Sequence, residues 1–269
     1  MSIVDDRWVP EGIDLTRPSP ARIYDYHLGG AHNFEVDRQV AEQLAAQMPD
    51  MPLVMRANRT FLTRAVRLLI DAGVRQFLDL GSGIPTVGNV HEIAHQADPA
   101  ARVAYVDVDP VAVAHSTAIL EGNDNAGVVH ADLRDVPQVL NAPEVRRLID
   151  FSRPVGVLMV SVLHFVPDSD DPCGIVADYL RVVPSGSFLV LSHGAANEED
   201  LWPAGGEDAA ATYARAVADL ALRTRAQVSD MFAGLDLLEP GVTYVTDWRP
   251  EGEAPTGRLA QLVGVARKP

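Results

Sequence analysis

Three aspartates stand where apolar runs of this 269-residue chain end. The first run, Phe77-Leu78-Asp79-Leu80, leads straight into Gly81-Ser82-Gly83-Ile84-Pro85-Thr86. A buried strand that breaks into Gly-x-Gly before a helix, expected over 87–96, turns tightly and leaves main-chain amides open to a ligand. The second run, Val103-Ala104-Tyr105-Val106, ends at Asp107, with Val108 beyond it. A carboxylate there can accept both hydroxyls of a ribose. The third, Val128-Val129-His130-Ala131, ends at Asp132-Leu133. There a carboxylate can accept from an adenine amino group. Taken alone, each aspartate also fits a helix N-cap. Together, at the ends of successive strands, they point to an adenosyl ligand past the carboxyl edge of a sheet.

The turn selects among such ligands. A dinucleotide site wants Gly or Ala at the sixth position of Gly-x-Gly-x-x-Gly, because pyrophosphate rests on the helix N-terminus. Here that position is Thr86, and Pro85 stiffens the turn. Asp79, two residues before the first glycine, favours a ligand with positive charge and no phosphate. S-adenosylmethionine carries an ammonium, a carboxylate and a sulfonium, and fits; NAD is the alternative. A second pattern competes for notice. His91-Glu92-Ile93-Ala94-His95 has the His-Glu-x-x-His spacing of a zinc site. Val87, Val90, Ile93 and Ala94 suit packing on a sheet, which places His91 and His95 on a more exposed face. No third ligand is marked nearby, so no metal is expected.

Composition narrows the chemistry further. Lys268 is the only lysine, which removes both a P-loop and a pyridoxal Schiff base. Cys173 is the only cysteine, so no internal disulfide or thiolate zinc cluster can form. The formal net charge of −15 repels phosphate backbones, so a nucleic-acid partner is not expected. No apolar run approaches the length of a membrane span. The acidic start, Met1-Ser2-Ile3-Val4-Asp5-Asp6-Arg7, lacks the order of a signal peptide. A cytoplasmic protein with a small-molecule substrate is the expectation.

The elements that must hold these residues follow from periodicity. Residues 1–16 read as a flexible tail. Helices are expected over 21–28, 35–48 and 53–72, with Pro49 and Pro52 interrupting, so that 17–72 forms a helical cap. From residue 73 short apolar runs alternate with helical patterns. Strands are expected over 76–80, 102–107, 127–131, 155–160, 187–192, 242–246 and 259–266, giving an α/β, mostly parallel sheet. Residues 201–208 read as a loop, and 208–225 and 226–235 as helical. The stretch from Asp247 to Arg258 carries two prolines and two glycines and no helical pattern. It suits a hairpin better than a parallel crossover, so the last strand is expected to be antiparallel.

The chain resembles an actinobacterial family of S-adenosylmethionine-dependent methyltransferases over roughly residues 17–269. The resemblance rests on Ser19 to Tyr26, Leu28-Gly29-Gly30, Asn33-Phe34, Asn58-Arg59, Phe77 to Thr86 and Asn89-Val90-His91-Glu92. It rests also on Tyr105-Val106-Asp107, Ala131 to Asp135, Leu163 to Val166 and Trp248-Arg249-Pro250. The family's usual Asp-x-Gly-x-Gly opening is matched at Asp79, Gly81 and Gly83, with Pro85 replacing a third glycine. The resemblance implies a Rossmann-like class I fold of seven strands, the last antiparallel, and S-adenosylmethionine as cofactor. It supplies no acceptor.

It also implies that the end of the fourth strand faces the sulfonium and the substrate. Ser161 is then a candidate cofactor contact. His164 could act as a general base or merely hydrogen-bond within the loop core; His193 has the same standing. Tyr24, Asp25, Asn33, Asn58 and Arg59 are polar positions in otherwise apolar helices of the cap. Tyr24, Asn33 and Arg59 are taken as cofactor contacts, with Arg59 able to fork onto the methionine carboxylate. With Asp79, Gly81, Ser82, Gly83, Asp107, Val108, Asp132 and Leu133 they complete the expected site. A binding protein that holds the same ligand without turnover is the alternative function.

Overall fold

A computed structural model describes residues 15–85, 88–196, 206–217, 219–252 and 258–269. Three helices come first: α1 (Pro20–His27), α2 (Glu35–Gln47) and α3 (Met51–Asp71). Pro52 does not interrupt α3 but lies in its first turn, where a missing N–H costs nothing. Of the expected tail, 1–14 lie outside the described residues; Leu15 and Thr16 form part of a turn.

Five parallel strands follow: β1 (Gln76–Leu80), β2 (Arg102–Asp107), β3 (Ala126–His130), β4 (Gly156–Val160) and β5 (Phe188–Gly194). They are connected through α4 (Val90–Ala97), α5 (Pro110–Ile119), α6 (Val136–Asn141) with α7 (Pro143–Leu148), and α8 (Pro172–Val182). The chain ends with α9 (Gly206–Ala216), α10 (Arg225–Asp230), β6 (Asp236–Leu237), β7 (Thr243–Tyr244) and β8 (Gln261–Arg267). The sheet order is β3-β2-β1-β4-β5-β8-β6, with β7 also on β8. β8 runs antiparallel to β5 and to both short strands, as the 247–258 connection predicts.

Three boundaries differ from expectation for visible reasons. The strand expected over 242–246 shortens to β7 (Thr243–Tyr244), and β6 (Asp236–Leu237) is a further short strand that the apolar pattern did not mark. Pro240 and Gly241 lie between the two: proline has no N–H for the ladder, and Gly241 takes a φ of 87°. With β6 the sheet has eight strands among the described residues, seven of them along one path. Helix α4 begins at Val90 rather than Val87, because Gly88 turns at a φ of 77° and Glu92 accepts the N–H groups of Gly88 and Asn89 at 3.1 and 2.9 Å. Thr86 and Val87 lie outside the described residues, as do 201–205 of the expected loop. Helix α9 ends at Ala216, not Arg225; beyond it Arg223 pairs in parallel with Ala195.

Alternation along the strands sorts their side chains onto two faces. Phe77, Leu158, Val190 and Val263 pack beneath α3 with Phe61 and Trp248. Trp248 is fully buried and meets Phe61 edge-on at 5.1 Å. Leu78, Val157 and Leu189 face the other layer, with Leu148 of α7 and Tyr179 of α8. A smaller cluster joins Ile23 of α1, Leu44 of α2, Met48 just beyond it and Tyr213 of α9. No helix among the described residues is long and apolar enough to cross a membrane.

Candidate functional site

A cavity of about 450 Å³ opens between the carboxyl ends of β1 to β5 and the helices α1, α2, α3 and α9. The glycine turn forms part of its wall. Gly81 and Ser82 both donate their N–H to Val106 O, at 2.8 and 3.1 Å, which ties the turn to β2. Gly81 has a φ of 73°, and a Cβ there would overlap Val162. Gly83 has a φ of 67°, but the space beside it is open. The hydroxyl of Ser82 is buried without a hydrogen-bond partner among the described residues.

All three strand-end acids line this cavity. Asp79 is buried beside Arg59, and burial pushes its pKa up to about 7, with Arg59 opposing and Asp107 reinforcing the rise. The carboxylate of Asp107 is oriented by two backbone donors: Gly83 N–H to Oδ2 at 2.7 Å and Asp109 N–H to Oδ1 at 2.8 Å. Each oxygen keeps a lone pair for a hydroxyl donor. Asp132 is gripped by Arg134, which donates from Nε and Nη2 at 2.6–3.0 Å and lowers the acid's pKa. Arg134 also bonds Asp170 at 2.8 Å. Val108 and Leu133 flank Asp107 and Asp132 on the same wall.

A buried polar chain crosses the opposite wall. Tyr24 donates to Met55 O at 3.1 Å and accepts from Asn58 Nδ2 at 3.0 Å. Asn58 Oδ1 accepts from Ser192 Oγ at 2.6 Å, and Ser192 Oγ accepts from the N–H of Ser161 at 2.9 Å. Gln261 Nε2 donates to the hydroxyls of Ser161 and Ser192 at 3.0 and 3.1 Å. Ser161 is held in the left-handed region, φ 57°, a strained conformation for a residue with a Cβ. Ser192 and Gln261 carry no local sequence signal; their partners are 134 and 100 residues away.

The structure brings together Tyr24, Arg59, Asp79, Gly81, Ser82, Gly83, Asp107, Val108, Asp132, Leu133, Ser161 and His164 around one cavity. Asn33 is the exception. Its amide donates to Asp25 Oδ2 at 2.8 Å and Gly30 O at 3.0 Å, closing the α1–α2 loop away from the cavity wall. His164 occupies the expected position, but its Nδ1 accepts from Gly194 N–H at 3.3 Å. Burial, His193 and Arg223 hold its pKa well below 6.5. That geometry is the loop-core hydrogen bond rather than a free base. His193 is likewise engaged: Nδ1 bonds Gly194 O at 2.8 Å, and Nε2 bonds Arg223 at 2.9 Å. Burial above all lowers its pKa to about 4. Arg223, unmarked in the sequence, is the hub of this corner. It also donates to Leu163 O, Val166 O and Asp168.

The His-Glu-x-x-His segment serves packing and capping. His91 is buried, contrary to the exposed face expected for it, because its ring turns inward to Tyr105 OH at 2.8 Å. His95 Nε2 bonds Ala101 O at 2.9 Å, and Glu92 caps α4.

An open α/β sheet with a glycine turn and three acids at its carboxyl edge invites comparison with known proteins. A comparison with curated proteins finds no match. Among solved structures, a DUF574 family protein from Streptomyces avermitilis MA-4680 shares 40% identity with a TM-score of 0.90, over 95% of this chain and 99% of that one. A candidate methyltransferase from Thermobifida fusca YX shares 37% identity, also with a TM-score of 0.90, over 97% of this chain and 98% of that one. The fold is that of class I methyltransferases, with the antiparallel end strand that the C-terminal connection requires. The family model for S-adenosyl methyltransferases matches residues 6–269, and the chain belongs to that family.

Proposed function

We propose that the protein transfers a methyl group from S-adenosylmethionine to a small-molecule acceptor by in-line displacement. Family membership supports the donor. The observation that carries the reading is the donor and acceptor set at the strand ends. Carboxyl groups of Asp79, Asp107 and Asp132 line one cavity, beside a glycine turn with open space at Gly83 and a Ser82 hydroxyl that no described residue pairs. Such a set repels a pyrophosphate and suits a cationic nucleoside.

S-adenosylmethionine supplies an electrophilic methyl on a sulfonium that leaves as a neutral thioether. The chain's residues bind and align. Asp107 accepts from the ribose hydroxyls, and Asp132 from the adenine amino group, between Val108 and Leu133. Asp79 faces the ammonium, and Arg59 the carboxylate. Tyr24 carries Arg59 over its ring, with 5.9 Å from guanidinium carbon to centroid. Ser161, held by Ser192 and Gln261, fixes the end of β4 beside the reacting centre. An acceptor lone pair forms the new bond to carbon, the carbon–sulfur pair returns to sulfur, and any acceptor O–H or N–H proton passes to solvent. His164 holds the β4–β5 corner rather than taking that proton.

A thermal-shift panel with S-adenosylmethionine, S-adenosylhomocysteine, NAD and zinc chloride tests the binding part. The two adenosyl-sulfur ligands should raise the unfolding midpoint. Stabilisation by NAD alone would overturn the reading. S-adenosylhomocysteine released with a panel of small acceptors then distinguishes turnover from mere binding.

A further inference from the structure

The cavity is divided by charge. Its charged liners among the described residues are Arg59, Asp79, Asp107, Asp109, Asp132 and Arg134, all at the strand ends or on the α3 turn facing them. The half beneath α1, α2 and α9 has none. Its wall is built from Leu44 of α2, Met48 just beyond it, Met51 and Met55 of α3, Phe165 and Tyr213. The rings of Phe165 and Tyr213 lie 6.1 Å apart at 27° to one another, and His164 meets Phe165 edge-on at 4.4 Å. Thioethers beside aromatic rings make an adaptable apolar surface for a flat molecule.

Two neutral polar groups interrupt that surface. His27, at the end of α1, is buried, lines the cavity and leaves Nε2 without a hydrogen-bond partner among the described residues. Burial, with Arg56 nearby, lowers its pKa and keeps the ring uncharged. Tyr213 also lines the cavity, and burial raises its pKa, so its hydroxyl stays protonated and can donate. A buried polar group without a partner is costly, and a ligand that supplies the partner recovers the cost. A charged ligand would find no counter-ion among the described lining residues of this half.

We propose that this chamber is the acceptor site and takes an uncharged aromatic molecule bearing a hydroxyl or ring nitrogen that pairs with His27 or Tyr213. The word acceptor rests on the methyltransferase reading; the chamber's selectivity does not. Calorimetry with 1-naphthol and 1-naphthoate on the protein saturated with S-adenosylhomocysteine tests it. Naphthol should bind at least about tenfold more tightly than the carboxylate, since the latter buries an unpaired charge. Tyr213→Phe and His27→Phe should weaken naphthol several-fold, at least one of them by about fivefold, with S-adenosylhomocysteine affinity kept within about twofold. Equal or tighter binding of naphthoate, no binding of naphthol, or naphthol affinity unchanged in both variants overturns the proposal. The two readings fail separately. Should S-adenosylhomocysteine not bind while naphthol still discriminates, the methyltransferase reading falls and the chamber stands.

Discussion

Asp79 holds a carboxyl group in a place that disfavours its charge, and this has consequences in pH. Its pKa, about 7 in the folded protein against 3.8 ordinarily, means that the native state binds more protons than the unfolded chain between those values. Its stabilising contribution is therefore complete below the unfolded value, is lost as pH rises, and is gone above about 7. Between pH 5 and pH 8 the melting temperature of the wild type should fall further than that of Asp79→Asn; parallel falls would refute the assignment. The same proton opposes an ammonium ligand. S-adenosylmethionine affinity by calorimetry should rise about tenfold from pH 6 to pH 8 in the wild type and stay level in Asp79→Asn. Arg59 acts at the other end of the ligand. Arg59→Ala should weaken binding by about 1–3 kcal/mol, the range for a lost charged hydrogen bond. An unchanged dissociation constant rejects that role. Loss of Arg59 should also move the Asp79 transition upward, because the guanidinium holds that pKa down.

At the scale of elements, the glycine turn shows that two glycines in one motif answer to different demands. Gly81 is needed for packing: Gly81→Ala meets both a positive φ and Val162, and should cost about 2–4 kcal/mol in chemical denaturation. Gly83→Ala meets only the positive φ, about 1–2 kcal/mol, but places a methyl in open space at the cavity wall. It should reduce S-adenosylhomocysteine affinity more than it reduces stability. If both variants lose stability equally, the distinction between them is wrong. The turn was legible in the sequence because strand, glycines and following helix are contiguous. The start of α4 was not, since Gly88 and the Glu92 cap overrode the apolar run that begins at Val87. Nor was β6 (Asp236–Leu237), whose two residues are too short to show a strand period.

Across the whole molecule, the N-terminal helices are docked by polar contacts as well as by Ile23, Leu44 and Tyr213. Arg22 and Asp37 form a buried ion pair at 3.3 Å, and Asp37 Oδ1 also accepts the Ser19 N–H at 3.0 Å. The Ser19 hydroxyl bonds Asp109, the N-cap of α5, so the start of α1 is latched to the sheet domain. Arg22→Ala leaves Asp37 buried without its cation and should cost about 3–5 kcal/mol. Hydrogen exchange should quicken in α1 and α2 before β1 or β4. Uniform loss of protection would contradict a cap that opens on its own.

The sequence alone determined that a parallel α/β sheet carries acids at its carboxyl edge, because strand period, turn glycines and the following residues are all local. It marked Asp79, Asp107 and Asp132 for the same reason, and Arg59 as a polar position in an otherwise apolar helix. Tertiary structure decided the rest. It turned Nδ1 of His164 and both ring nitrogens of His193 to the β5 corner, withdrew Asn33 into a loop, and joined Tyr24, Asn58, Ser161, Ser192 and Gln261 into one chain of hydrogen bonds. It also left His27 and Tyr213 facing a chamber without charge among its described lining residues. These outcomes depend on which groups from distant segments come within about 3 Å of each other, and no local spacing encodes that distance.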